Sequence, residues 1–351
     1  MADNIRTKIK KMLPNLRVAK FFLFYFDSAK QKKVNRQMDL FLGKDASPKL
    51  RAWHRRRMCQ AYVRDGWSFK EYFYYHYWLL SKKGRKEFVV ETEKNKFCNK
   101  MHVDNAYRIF YNKIKSYEHF SKFYHREVYK VKSLSSDLEG LRDFVSRHPR
   151  YIVKPVGGTS GGDIYMAEGM DLAPLQKILD KYKGGAIAEE LIVQGEPLAT
   201  IYSGSVNTIR VASMLVNGEP QIIGAAIRFG RGGAFIDNAS QGGVAGAIDL
   251  DTGIVTHVCD KLGHTFVVHP DTQKPIVGLQ IPEWESAKQM VKEMSTVIPT
   301  CRYVGWDLAY STNGWVMVEG NSLGQMGVLQ IPTQKGIRSR LLSLDPDCLT
   351  F

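Results

Sequence analysis

The sequence predicts an α+β fold in which a basic, mainly helical stretch precedes helices that alternate with antiparallel hairpins. Three observations carry this expectation. The 351 residues are 44% hydrophobic and 11% aromatic with 24% charged, enough to bury a core and too apolar for a disordered chain. Near residue 150 the texture changes from Lys/Arg-rich, glycine-poor sequence to short β-branched runs separated by glycines. Turn dipeptides such as Asn217-Gly218 then join neighbouring runs, which favours antiparallel layers over a doubly wound parallel sheet.

Residues 1–105 read as helices broken near Gly43 to Pro48 and near Gly84, and form the first expected unit. Trp53-His54-Arg55-Arg56-Arg57 and the stretch Tyr72 to Leu80 set aromatics beside cations. Such groups either stack on bases or sugars, or build a helical core with solvated cations around it. The run Phe21 to Phe26, preceded by Lys8, Lys10, Lys11, Arg17 and Lys20, either lies at a lipid headgroup layer or docks on its own domain.

Beyond residue 150, Tyr151 to Lys154 reads as a strand and Leu172 to Tyr182 as an amphipathic helix ended by Gly184-Gly185. Ala186 to Ile192 reads as a further strand. Thr208 to Val216 and Gln221 to Phe229 form a hairpin through Asn217-Gly218. Glu283 to Val297 is a second amphipathic helix, followed by strands Gly305 to Tyr310 and Val316 to Glu319 around Thr312-Asn313-Gly314.

The charge is concentrated in the first part. Residues 1–150 carry 35 Lys and Arg against 15 Asp and Glu, whereas residues 151–351 carry 15 against 20. That asymmetry points to an anionic partner without choosing among nucleic acid, a membrane surface, a phosphorylated sugar and an acidic polymer. The five cysteines are scattered, with no C-x-x-C or Cys/His ligand spacing, so a reducing compartment without structural zinc is expected. No uncharged apolar run approaches the ~18 residues of a membrane span, and Phe21 to Phe26 is too short for a secretory core. The expected location is cytoplasmic, with peripheral contact at the inner face of the membrane left open.

Three constellations carry chemistry. In the first, Glu319 and Asn321 are two apart on a strand and share a face, and a hairpin turning at Asn313-Gly314 brings Asp307 beside them. Two carboxylates and an amide oxygen suit a hard cation such as Mg²⁺, or else are hydrogen-bonding groups at a strand end. The second is Lys154 followed by Pro155-Val156-Gly157-Gly158-Thr159-Ser160-Gly161-Gly162, a strand-end lysine and a loop whose backbone N–H groups can close on phosphate oxygens. It is not a Walker A motif; the alternative is an ordinary glycine hairpin. In the third, Glu189-Glu190-Leu191-Ile192 runs into a turn ending at Glu196. There a strand-end backbone can meet the edge of adenine and a carboxylate can hold ribose hydroxyls.

The order Lys113, Lys154 with its glycine loop, Glu189 to Glu196, then Asp307, Glu319 and Asn321 resembles the ATP-grasp superfamily. The stretches Ser205 to Arg210 and Arg228 to Gly233, followed by Asp237-Asn238 and Gly242-Gly243, are similar to the sugar-transfer-associated ATP-grasp family, found with polysaccharide biosynthesis. The resemblance covers about residues 105 to 335. It implies an ATP-grasp fold in which two α+β subdomains, 106–185 with the glycine loop and 186–351 with the metal strands, clasp ATP. Lys113 and Lys154 would contact phosphates, with Gly157, Gly158, Thr159, Ser160, Gly161 and Gly162 closing as a lid. Glu189 would belong to the nucleotide site, the backbone of Glu190 and Ile192 would read adenine, and Glu196 would hold the ribose. Asp307, Glu319 and Asn321 would bind Mg²⁺. Arg210, Arg228 and Lys154 would steady the transferred phosphate or a substrate carboxylate.

The activity this implies is an ATP- and Mg²⁺-dependent carboxylate–amine ligase acting through an acyl phosphate on a glycan, cell-envelope or peptide substrate. The alternatives are an ATP-grasp phosphotransferase acting on a hydroxyl, and a nucleotide-responsive binding module. Residues 1–105 depart from the Rossmann-like unit many superfamily members carry first, and are expected to contact an anionic acceptor; nucleic acid is not the expected partner. His264 and His269 are read as ordinary histidines outside the catalytic set.

Overall fold

The computed structural model describes residues 16–158, 163–233 and 242–351. Lys8, Lys10, Lys11, Thr159 to Gly162, Asp237 and Asn238 lie outside them.

Short polar caps start the N-terminal helices. Helix α1 is Leu16–Phe26, and Asp27 caps α2, Ser28–Leu42, by accepting the N–H groups of Ala29 and Lys30. Ser47 caps α3, Pro48–Gln60, whose proline sits in the first turn, where a missing N–H costs nothing. Ser68 and Glu71 form a reciprocal capping box on α4, Phe69–Tyr74. Ser81 caps α5, Lys82–Glu87, and α6 is Glu91–Met101. The break expected near Gly84 is therefore displaced: Gly84 lies inside α5, and the chain breaks at Gly66 and around residues 75–81.

This region has a core of its own, built on Phe24, Val34, Met38, Met58, Tyr72 and Phe73. Tyr72, Phe73, Tyr75 and Tyr77 are fully buried, so the aromatics of that stretch are packing groups. The His54 ring packs inward with Nδ1 2.9 Å from the Tyr72 hydroxyl. Trp53 points outward with the Arg57 guanidinium 4.6 Å above its ring.

Two antiparallel sheets follow. The first has the order β1-β4-β2-β3, from Val128–Val131, Arg150–Pro155, Tyr165–Glu168 and Ala186–Glu190. Helices α8, Leu134–Arg147, and α9, Ala173–Lys181, cover it through Leu141, Phe144, Leu175 and Ile178; α7, Lys113–Tyr124, precedes it. The strand expected over Ala186 to Ile192 in the second subdomain runs Ala186–Glu190 and is hydrogen-bonded between β1 and β2 in this first sheet.

The second sheet has the order β11-β10-β5-β6-β7-β8-β9. Its strands are β5 Thr208–Val216, β6 Glu219–Phe229, β7 Val244–Ile248, β8 Val255–Cys259, β9 Thr265–Phe266, β10 Tyr303–Ser311 and β11 Gly314–Asn321. The hairpin at Asn217-Gly218 forms as expected: both residues take positive φ, 52° and 85°, which matches the twist of β5 and β6. The short α10, Leu198–Ile201, lies before the sheet and α11, Trp284–Val297, packs on one face against Ile209, Val211 and Leu308. On the opposite face α6 packs Phe97, Cys98 and Met101 against Ala212, Met214 and Tyr303, joined by α12, Gly327–Gln330, and α13, Arg338–Leu344. The result is layered α+β with every strand pair antiparallel, as the sequence predicts.

Candidate active site

Strand periodicity assembles one half of the site. Ile209, Val211, Trp306 and Leu308 point to the α11 face, so Arg210 and Asp307 point to the other. They are register partners on adjacent strands, and Asp307 is in turn the partner of Glu319. Arg210 grips Asp307 with both arms of its guanidinium, Nη2 to Oδ2 at 2.7 Å and Nε to Oδ1. Arg228, on β6, brings Nη2 to 3.1 Å from Asp307 Oδ1 and donates to the Thr208 hydroxyl at 2.6 Å. Burial would raise the Asp307 carboxyl, but the two guanidinium charges outweigh it and hold it at about 2.

The three residues expected to bind a metal, Asp307, Glu319 and Asn321, meet here. Asn321 Nδ2 lies 3.4 Å from Asp307 Oδ2 and 3.2 Å from Glu319 Oε1, and Glu319 is exposed. Among the described residues no group of three His, Cys, Asp or Glu could hold a metal, so a cation would have two anionic ligands and the Asn321 amide oxygen. Oxygen donors of that kind suit Mg²⁺, a hard cation that completes its shell with phosphate oxygens and water. Here, however, Arg210 and Arg228 occupy the Asp307 oxygens and Asn321 turns Nδ2 to both carboxylates, so that ligation by all three requires the Asn321 amide to turn.

The first sheet and α7 contribute the cations. Asn112 caps α7, and the N–H of Lys113 bonds the Val156 carbonyl at 2.9 Å, bringing the helix start against the glycine loop. Lys113 Nζ lies 3.3 Å from the Gly158 carbonyl, and Asn112 bridges Gly157. Burial and the nearby Lys154 charge lower the Lys113 pKa, partly offset by the charges of Glu319 and Glu189. Two lysines from separate elements thus lie near one another, and Glu319 on β11 is close enough to act on Lys113. Lys154 pairs with Glu189, which is itself buried between Lys154 and Arg126. Burial raises the Glu189 carboxyl, yet those two cations outweigh it and hold it at about 2. Glu189 therefore acts as a counter-ion to Lys154, with its carboxylate turned away from solvent.

The segment after β4 crosses to the second sheet. Gly195 N–H bonds the Tyr310 carbonyl at 2.8 Å and Thr312 N–H bonds the Val193 carbonyl at 3.0 Å. This lays Val193 to Gly195, the residues after Ile192, beside the end of β10. The Glu190 N–H is committed to the Glu127 carbonyl at 3.0 Å, and its carboxylate accepts the Glu127 N–H at 2.9 Å. Glu196 is exposed and accepts from Thr200. Of the expected lid, only Gly157 and Gly158 fall in the described residues.

Two residues that sequence reasoning missed organise these parts. Arg126 is buried and donates to Glu189 Oε1 and to the Met317 carbonyl, partners 63 and 191 residues away, so no local spacing marks it. Asn207 is fully buried, and its Nδ2 holds the Leu198 and Tyr202 carbonyls, each at 2.9 Å. His269 is also fully buried, with Nε2 2.7 Å from the Gly230 carbonyl and Nδ1 accepting the N–H groups of Asp271 and Thr272. His264 pairs with Asp260 at 2.9 Å.

Among solved structures, the chain is similar to the ATP-grasp ligase PsnB complexed with a phosphomimetic variant of its minimal precursor, Mg and ADP. That similarity is 14% identity and a TM-score of 0.42 over 71% of this chain and 61% of that one. It is similar to D-alanyl-alanine synthetase A from Vibrio cholerae at 12% identity and a TM-score of 0.42, over 69% of this chain and 64% of that one. For the L-amino acid ligase from Bacillus licheniformis the values are 14% and 0.37, over 61% and 41%. The chain spans less than two thirds of the length of each. No curated protein matches the sequence. The model of the sugar-transfer associated ATP-grasp family matches residues 85–345, about three quarters of the chain. On that match, the chain belongs to the sugar-transfer associated ATP-grasp family.

Proposed function

We propose that this protein is an ATP- and Mg²⁺-dependent carboxylate–amine ligase acting on a glycan, a cell-envelope precursor or a peptide. The observation that carries the reading is the placement of Lys113 near both Lys154 and Glu319, with Asp307, the register partner of Glu319, clamped by Arg210 and Arg228. Cations and hard-cation donors in one place suit the charge that develops on a transferred phosphoryl group.

In this reading Lys113 and Lys154 take phosphate oxygens, the loop Gly157 to Gly162 closes over them, Ile192 offers backbone to adenine and Glu196 takes the ribose. Asp307, Glu319 and Asn321 would hold Mg²⁺, which would supply positive charge to offset that of the phosphates. The substrate carboxylate attacks the γ-phosphorus and ADP leaves. An amine then attacks the acyl phosphate carbonyl, loses a proton and expels inorganic phosphate. The nucleophiles come from the substrates, which agrees with the protein's own candidates. Burial pushes the thiols of Cys98, Cys259 and Cys301 up to about 12, and His269 has both ring nitrogens engaged.

In the same reading the basic residues 1–105 contact an anionic acceptor, and the end of that region lies against the second sheet. Lys94 on α6 is buried and reaches the Leu323 carbonyl at 3.3 Å, two residues past Asn321, and the turn Asn105–Tyr111 packs Phe110 on Trp306. The cytoplasm is the assigned location, where five free, buried thiols stay reduced. No helix among the described residues is long and apolar enough to cross a membrane.

The test is product analysis with ATP, Mg²⁺, a pool of amino acids and sugar acids, and hydroxylamine. Hydroxamate with ADP and phosphate supports the ligase. ADP with a phosphorylated alcohol replaces it by a phosphotransferase, and ATP binding without turnover against the full pool favours a binding module.

A further inference from the structure

The N-terminal helices carry a surface that the nucleotide site does not use. Helix α1 buries Ala19, Leu23 and Phe24 against its own core. Its outward side is also apolar: Phe21, Phe22 and Phe26 are 47%, 41% and 73% exposed. Phe21 packs against Tyr25 and Phe22 stacks on Phe26, so the rings form one continuous ridge. A helix apolar on both sides is stable in water only if something covers the second side.

The flanks of the ridge indicate what covers it. On one side an open pocket of about 500 Å³ is lined by Leu23, Lys30, Lys33, Tyr62 and Phe69. On the other an open pocket of about 520 Å³ is lined by Tyr25, Arg51, Arg55 and Arg56. Lys20 and Lys30 sit 6.0 and 5.8 Å from the Tyr62 ring centroid, holding their ammonium groups at the edge of the first pocket. Residues 16–66 contain 13 Lys and Arg against 4 Asp. An apolar ridge with two cation-lined pockets that meet the same helix at Leu23 and Tyr25, the second keeping Arg55 and Arg56 beside an Arg51 paired with Asp39, complements a surface that is apolar below and anionic above. Phenylalanines stacked on one another suit a sugar or base poorly, because each ring spends a face on its neighbour.

We propose that α1 docks on a bilayer containing anionic phospholipid, with Phe21, Phe22 and Phe26 entering the acyl boundary and the two pockets accepting lipid phosphates. The proposal is independent of the ligase reading, since docking needs neither nucleotide nor acceptor.

Flotation of the full chain tests it, using phosphatidylcholine vesicles with and without phosphatidylserine, at low and high salt and without ATP. The expected result is flotation only with phosphatidylserine and loss of it at high salt. The double variant Phe22→Ser, Phe26→Ser should bind at least about tenfold more weakly, because two exposed rings no longer enter the bilayer. Lys30→Glu with Lys33→Glu should weaken binding by a similar factor and reduce its salt dependence. Circular dichroism melting checks folding; should the double variant unfold, Phe26→Ala, at the most exposed position of the ridge, replaces it. Three results overturn the proposal: no flotation of the intact chain with anionic vesicles, flotation indifferent to the phenylalanines, or an acidic polysaccharide bound with the same salt and phenylalanine dependence in place of vesicles.

Discussion

Arg126 donates its Nε to Glu189 Oε1 at 2.5 Å, and both side chains are buried. The same guanidinium reaches the Met317 carbonyl at 2.5 Å, two residues before Glu319. One side chain therefore joins the strand that neutralises Lys154 to the strand that carries Glu319 and Asn321.

Removing that guanidinium leaves Glu189 buried with Lys154 as its one remaining cation. Arg126→Met should cost about 3–5 kcal/mol of stability, the penalty for a broken buried pair. Urea unfolding measures it; a loss below about 1 kcal/mol would mean that water reaches Glu189.

Acid should act on both buried carboxylates. Asp307 and Glu189 titrate at about 2 in the fold, against about 4 in an unfolded chain. Between those values the native state binds fewer protons, so their stabilisation is complete above about pH 5 and is lost as the pH falls towards 2. Unfolding free energy followed down that range should fall less steeply in Glu189→Gln than in the parent; equal slopes would place the acid sensitivity elsewhere.

Glu319 is exposed and its replacement touches no core. Glu319→Ala should stay within about 0.5 kcal/mol of the parent in stability. Its Mg²⁺-dependent ATP turnover should drop on the order of a hundredfold or more. Unchanged turnover removes Glu319 from the metal site.

Lys113 is held below the ordinary lysine range by burial and by Lys154. An incoming phosphate would favour its charged form, so Lys113→Met should weaken ATP binding by about tenfold or more. Titration calorimetry at rising pH should also show the parent losing ATP affinity earlier than the variant does.

Gly320 lies between Glu319 and Asn321, and a Cβ there would overlap the Phe110 ring. Gly320→Ala should destabilise by about 1–3 kcal/mol through overpacking and disturb both metal donors together. A melt combined with Mg²⁺ titration separates the two effects, and a silent substitution would show that Phe110 yields freely.

Much of this was legible locally. Asn217-Gly218 announced its hairpin, the runs at Leu172 to Tyr182 and Glu283 to Val297 announced α9 and α11, and the two-residue spacing of Glu319 and Asn321 placed them on one face. These are short-range properties, fixed by turn chemistry and by the periods of strand and helix. Gly84 was misleading because a helix tolerates one glycine at a cost of only about 1 kcal/mol when a cap such as Ser81 sets its start. The strand Ala186–Glu190 was seen, but not which sheet would receive it, since register is decided by partners far along the chain. The sequence by itself determined the element types, the order of the nucleotide motifs and the location of the basic charge. Only the tertiary structure decided that Glu189 is a counter-ion, that Arg126 joins the two sheets, and that Tyr72 to Tyr77 are core while Phe21, Phe22 and Phe26 face outward. The reason is physical: a residue's charge and shape are local, but burial and pairing depend on groups brought together from 63 to 191 residues away.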